Sequence, residues 1–194
     1  MVVLIILWVL FFVSHSLLAA DVVKLAAQQV LGNFYRFYRI LYNVFSAVFL
    51  SGILYVLLVK HEFNYVYSFN HYSTQAGWFF IFMGVLIMFV SFKNYDLAEF
   101  TGIKQLAQKI HRPEKLVIKG LNAYVRNPLY FGIIVLALGY FLQQPTYMNL
   151  VSVLIIYVYL YIGTTLEEKK LEAAFGNEYT EYKKQVKMLL PYLF

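Results

Sequence analysis

The chain has 194 residues, 61% of them apolar and only 13% charged, with 18 Phe and 18 Tyr. A water-soluble domain carries about 25% charged residues, so the composition excludes an ordinary soluble enzyme and points to a polytopic membrane protein. With no cysteine there is no disulfide framework, thiolate metal site or cysteine nucleophile. The net charge of +6 is read from where the basic residues fall, not as a nucleic-acid signal.

Five apolar segments follow in chain order. The first, residues 2–20, reads VVLIILWVLFFVSHSLLAA. No Lys or Arg precedes it, so it reads as a membrane span and not as a cleaved signal peptide. The second and third spans run over residues 41–59 and 74–92. The fourth, residues 128–142, is short for a hydrocarbon core of about 30 Å. The fifth covers residues 147–165, and QQPT (Gln143 to Thr146) joins it to the fourth in a tight helical hairpin. The tail, residues 166–194, continues span five as EEKKLEAAFG and stops at Gly176, a residue suited to a helix C-terminus. Asn177 is placed to cap a second short helix, NEYTEYKKQV, with Tyr179 and Tyr182 on one face. The expected architecture is a single all-α domain over residues 1–194, a polytopic membrane helical bundle of about five spans.

Of the 16 Lys and Arg, all but Lys60 fall in alternate inter-span segments. Basic loops stay on the cytoplasmic side, which predicts an external amino terminus, a cytoplasmic tail and residence in a bacterial inner membrane.

The stretch AYVRNPLYFG, Ala123 to Gly132, carries the first chemical signal. Asn127 before Pro128 is an N-cap followed by proline at the first helical position. The plain structural reading has Arg126 reaching lipid headgroups. A helix N-terminus also attracts anions, and the hairpin returns Glu167 and Glu168 to the same membrane boundary. Arginine, helix N-terminus and paired acids together suit a small zwitterion bearing carboxylate and ammonium groups.

Those two blocks resemble the isoprenylcysteine and phospholipid methyltransferase superfamily of membrane enzymes. Arg126, Pro128, Tyr130 and Gly132 fit its first motif, with Asn127 where histidine is common. Glu167, Glu168, Phe175, Gly176, Tyr179 and Tyr182 fit its second. HSLLAADVVK, FYRFYRILYNVFS, FKNYDLAEFTGIKQL and VKMLLPYL are similar to the branch holding bacterial methanethiol S-methyltransferases and NnrU-like membrane proteins.

The resemblance implies S-adenosyl-L-methionine as cofactor, with Tyr124, Arg126, Asn127, Pro128, Tyr130, Glu167 and Glu168 at its site. It implies methanethiol as the small thiol acceptor, giving dimethyl sulfide. An isoprenylcysteine carboxylate or a phospholipid amine is the alternative acceptor, and an NnrU-like accessory protein without enzymatic activity is the alternative class. The partners expected are thiol and membrane lipid, without nucleic acid.

A thiol needs help to ionise at neutral pH. His15 is the candidate for that role, because an ionisable group inside a span is costly unless it faces the bundle interior. A hydrogen-bonded packing histidine is the competing reading. Arg36 and Arg39 can favour thiolate or meet lipid phosphates. Asp96 and Glu99 share a helical face at i, i+3, and with Gln105 they are the substrate-side candidates. His61, His71 and His111 show no metal-ligand spacing, so no metal is expected. Asn43, Ser46 and Ser51 read as helix-packing residues.

Overall fold

A computed structural model describes residues 1–59, 64–68, 70–94, 97–106 and 116–191. Its helices are α1 (Val2–Ala19), α2 (Asp21–Leu31), α3 (Tyr38–Val59), α4 (His71–Ser91), α5 (Leu97–Thr101), α6 (Ile103–Leu106), α7 (Pro128–Gln143), α8 (Tyr147–Phe175) and α9 (Asn177–Gln185). No strand occurs among the described residues, only the isolated bridges Tyr65–Thr146 and Val125–Lys187. The long helices α1, α3, α4 and α8 are apolar enough to cross a membrane, and α7 is a shorter apolar helix. Large apolar side chains along them face outward (Val2 is 70% exposed, Val48 67% and Phe89 67%), as lipid-facing surfaces do. The protein is an all-α integral membrane protein.

The chain forms two compact units, residues 1–62 with 95–112 and residues 63–94 with 113–194. In the first, α1 packs on α3. Leu4, Trp8 and Phe11 are buried along one stripe of α1, and Ile53 and Leu57 along α3. Tyr38 donates to the Leu18 carbonyl at 2.8 Å, which closes the turn. Between them lies α2, an amphipathic helix that was not expected from the sequence; its Val22, Leu25 and Val30 are exposed.

In the second unit α4 and α7 pack most extensively. Their glycines interlock. A Cβ placed on Gly84 would lie 2.6 Å from the Leu136 nitrogen and 2.8 Å from the Gly132 oxygen, and one on Gly139 2.8 Å from the Gly77 oxygen. Each helix repeats glycine every seven residues (77 and 84, 132 and 139), so one face of each is bare backbone. In lipid, such close approach replaces the missing hydrophobic drive between helices.

A capping box opens α4: Asn70 accepts from the Ser73 amide at 3.0 Å and Ser73 Oγ from the Asn70 amide at 2.9 Å. The expected hairpin of spans four and five is present. Thr146 caps α8 through the Asn149 amide at 3.2 Å, and Asn149 Nδ2 donates to the Gln144 carbonyl at 2.7 Å.

The helix α8 does not end with the apolar run. It continues over 29 residues to Phe175, about 44 Å at 1.5 Å per residue, and stops where Gly176 takes φ +55°. That stop agrees with the sequence expectation, and the cap does not. Gly176, not Asn177, is the N-cap of α9, and no side chain caps it. The sharp reversal needs a positive φ at the junction, so glycine occupies the position that an asparagine side chain would otherwise use.

Candidate functional site

The amino-terminal end of α7 is built from Pro128, whose fixed φ and absent N–H suit the first helical turn. Asn127 is the N-cap by position, yet its side chain makes no cap bond. It turns instead to the carboxyl-terminal tail, where both its amide and its Nδ2 donate to the Met188 carbonyl at 3.2 Å.

Arg126 likewise turns inward and does not reach for headgroups. Its Nε donates to Glu168 Oε1 at 2.6 Å and its Nη2 to Oε2 at 3.0 Å. Its Nη1 donates to the Lys183 carbonyl at 3.2 Å and to the Val186 carbonyl. These four bonds occupy a group with five N–H donors. Both partners are buried, with side chains 9% and 6% exposed. A buried pair in bidentate geometry, with further acceptors on the cation, compensates the cost of removing two charges from water.

Around this pair the tail forms a small core of Tyr179, Tyr182 and Val186, against which Leu116, Leu171 and Phe175 pack. The Tyr182 hydroxyl donates to the Asn122 carbonyl at 2.5 Å, and Asn122 Nδ2 donates to the Arg126 carbonyl at 3.1 Å. Lys183 Nζ donates to Glu172 Oε1 at 2.5 Å and lies 3.5 Å from Glu168 Oε2. That hydrogen bond to Glu172 holds the Lys183 ammonium above the usual lysine range. Burial raises the Tyr182 phenol. Burial, reinforced by the charge of Glu168, raises Tyr179 further, whose hydroxyl is buried without a hydrogen bond of ordinary geometry.

One polar pair at the junction is open. The Tyr130 hydroxyl donates to Glu167 Oε2 at 2.9 Å, joining α7 to α8 at an exposed position. Tyr124, just before it in the chain, is 59% exposed. Thus Arg126, Asn127, Pro128, Tyr130, Glu167 and Glu168, separated by some forty residues of hairpin, meet at one place.

The family model described as NnrU protein matches residues 3–192. The chain belongs to the NnrU protein family. This NnrU-family chain is also 33% identical over 119 residues to methanethiol S-methyltransferase 1 of Bradyrhizobium diazoefficiens, covering 60% of the chain and 39% of the relative. It is 29% identical over 135 residues to methanethiol S-methyltransferase of Crocosphaera subtropica, covering 66% and 51%. Over 90 residues it is 36% identical to protein-S-isoprenylcysteine O-methyltransferase of Schizosaccharomyces pombe, covering 44% and 37%. The chain therefore spans between about a third and a half of the length of these curated relatives. No solved structure matches it.

The catalytic and substrate-side candidates of this NnrU-family chain lie in the other unit. His15 extends the buried stripe of Leu4, Trp8 and Phe11 toward α3. Its Nε2 is 2.8 Å from the Tyr42 hydroxyl and its Nδ1 3.1 Å from Ser46 Oγ. Ser46 thus packs α3 on α1, as the sequence suggested, whereas Tyr42 was missed. Arg36 stacks over its neighbour Phe37, 4.9 Å from the ring centre. With the Gln105 amide oriented to satisfy both its ends, Oε1 accepts from Arg39 Nη1 at 3.3 Å and Nε2 donates to the Gly102 carbonyl at 3.2 Å. Glu99 lies on α5, of which only the backbone is described there, and Asp96 lies outside the described residues. His71 begins α4 and contacts Gln75 at 2.9 Å; His61 and His111 lie outside the described residues. Among the described residues no group of three His, Asp or Glu is placed to hold a metal.

Three members of the tail junction were missed from sequence: Lys183, Glu172 and Asn122. The signal available for the first two was charge spacing across Gly176, which places a lysine on α9 opposite an acid on α8. Nothing in the sequence marks Asn122.

Proposed function

We propose that the chain is a membrane methyltransferase that uses S-adenosyl-L-methionine to methylate a small thiol, with methanethiol giving dimethyl sulfide as the first reaction to test. The observation that carries the reading is the junction of α7 and α8, where both motif blocks meet and leave the Tyr130–Glu167 pair exposed. The methyltransferase names of the relatives support the same class. Isoprenylcysteine and phospholipid acceptors remain within it.

The donor set fits the cofactor in part. The exposed Glu167 carboxylate and Tyr130 hydroxyl suit an ammonium group or a ribose diol. First-turn amides of α7, which lack intrahelical acceptors, suit a carboxylate. Asn127 and Pro128 shape that turn, and Tyr124 offers an exposed ring beside it. Arg126 and Glu168 do not fit direct contact, because each is engaged by the other and by the tail. When bound, S-adenosyl-L-methionine supplies an electrophilic methyl group on a sulfonium.

The chain's own residues then orient the reactants and exclude water, since charge fades during such a displacement and a dry, aligned site favours it. The thiol proton must reach an acceptor. His15 has the chemistry for it, but two hydrogen-bonding neighbours hold its ring, which favours the packing role. Arg36 and Arg39 suit lipid phosphates. Asp96, Glu99 and Gln105 stay substrate-side candidates by resemblance. The basic residues favour an external amino terminus and a cytoplasmic tail in a bacterial inner membrane.

Calorimetry of S-adenosyl-L-methionine on the purified protein, beside Tyr130→Phe and Glu167→Gln, tests the reading. Saturable binding weakened about tenfold in the folded variants supports it, and methyl transfer to methanethiol, prenylcysteine and phospholipid then ranks the acceptors. His15→Ala with normal turnover per folded molecule removes histidine from the reaction. The NnrU match over nearly the whole chain favours one other reading, an accessory membrane protein without catalysis. Absence of cofactor binding by well-folded protein would select it.

A further inference from the structure

Two cross-links run side by side to α8, one from the first turn of α7 and one from the residue just before its N-cap. The exposed one is Tyr130 to Glu167 and the buried one Arg126 to Glu168. Arg126 stands four residues before Tyr130, and Glu168 follows Glu167 directly. A backbone shift of either segment that separates the buried pair therefore also displaces that segment's member of the exposed one.

The buried link is itself tied down by the tail. Four tail carbonyls, those of Lys183, Val186, Lys187 and Met188, accept hydrogen bonds from Arg126 and Asn127. Lys183 lies in the last turn of α9 and Val186 is its C-cap. Carbonyls there have no acceptor role left inside the helix and carry partial negative charge, so a guanidinium is a well-matched cap. Lys183 fastens the same turn back to α8 through Glu172 and Glu168.

We propose that Arg126 is a positioning residue that never touches the cofactor: by clamping Glu168 and capping α9 it holds the carboxyl-terminal tail closed and sets Tyr130 and Glu167 at the geometry that binds. The tail thereby becomes part of the binding site through Arg126. This rests on the methyltransferase reading above.

The test combines hydrogen exchange of tail residues 180–191 with calorimetry of S-adenosyl-L-methionine and kinetics at saturating cofactor. Arg126→Lys keeps the charge and loses the fork, so tail exchange and cofactor Kd both rise about tenfold, while kcat at saturation stays within about threefold of wild type. Lys183→Met loosens the tail without altering the guanidinium and moves Kd in the same direction. Tyr130→Phe weakens binding and leaves tail exchange unchanged.

A raised Kd in Arg126→Lys with wild-type tail exchange would mean direct contact and overturn the proposal. A loosened tail with unchanged Kd in Arg126→Lys or Lys183→Met would make Arg126 a scaffold residue only, which also overturns it. Lower binding stoichiometry at constant Kd reports lost protein and counts with that second result. If folded wild type binds no cofactor, the methyltransferase reading fails by itself, and unchanged tail exchange in Arg126→Lys would separately defeat the clamp.

Discussion

Helix α7 is held on two sides by opposite means. Toward α4 it presents bare backbone, with Gly132 and Gly139 received by Gly84 and Gly77. Toward the tail its anchor is Arg126, just before its N-cap, whose bonds run to a buried carboxylate and to backbone carbonyls. The first contact sits along apolar helices, where lipid competes equally for any apolar side chain and only close packing distinguishes protein from solvent. The second sits where helix ends expose polar groups that must find partners. One side tolerates no added volume, and the other tolerates no removed charge.

The largest effect should come from adding volume to the glycine seam. Gly84→Leu places a side chain where even a Cβ lies 2.6 Å from backbone, and backbone cannot rotate away. Overpacking alone costs about 1–3 kcal/mol and more where nothing yields, so this variant should fail to give folded protein by fluorescence-detected size exclusion. Folded Gly84→Leu at normal yield would show that the seam is looser than the backbone distances imply.

Arg126→Gln comes next. Removing one partner of a buried ion pair costs about 3–5 kcal/mol, because the remaining charge stays buried. Thermal unfolding in detergent should show that loss, and Glu168→Gln should show a comparable one. The double variant should recover part of it, because neither charge is then stranded. Strict additivity would mean that the two residues do not act as a pair.

Much of this contrast was legible beforehand. The short fourth span, the hairpin, the helix running on to Gly176 and the meeting of Arg126 with Glu168 follow from span lengths and from where proline and glycine stand. The directions of side chains do not. Asn127 stands at an N-cap and reads as a cap, yet it donates to Met188, because the returning tail brings a carbonyl that competes with the helix's own amides. Arg126 beside an apolar run reads as a headgroup anchor until the tail supplies acceptors from sixty residues away. The glycine seam was open to reading, since Gly77 and Gly84 share heptad spacing with Gly132 and Gly139, but spacing alone does not say which two helices interlock. In α2 the alternation of Val22, Leu25 and Val30 with Lys24 and Gln28 carries a helical period inside what length suggested was a loop. His15 fell on the stripe of Leu4, Trp8 and Phe11, a sign that it faces protein, while its partner Tyr42 carried no separate mark.

A smaller effect is expected from Tyr182→Phe. It removes the bond to the Asn122 carbonyl and leaves that acceptor without this donor. Such losses cost about 1–3 kcal/mol, and tail exchange should rise without change in the glycine seam. Equal acceleration in α4 and α7 would mean that the two sides of α7 are not independent.

The smallest effect at neutral pH, and the one that separates the two sides without mutation, is alkaline release of the tail. Hydrogen bonding to Glu172 raises the Lys183 ammonium, and burial raises the phenols of Tyr179 and Tyr182. All three therefore bind their protons more tightly in the folded tail than in an unfolded one. Each contributes stability that is fully present below its unfolded value, about 10 for both residue types, and that is lost as pH rises through the folded value. Tail exchange, corrected for its intrinsic rate, should stay flat from pH 7 to about 9.5 and climb above about 10. The glycine contacts between α4 and α7 involve no titratable group, so their protection should not follow. Lys183→Met together with Tyr182→Phe should flatten the alkaline rise and leave the Tyr179 share. A tail that loosens between pH 5 and 7 instead, and stays closed above pH 10, would mean that Lys183, Tyr179 and Tyr182 do not set its closure.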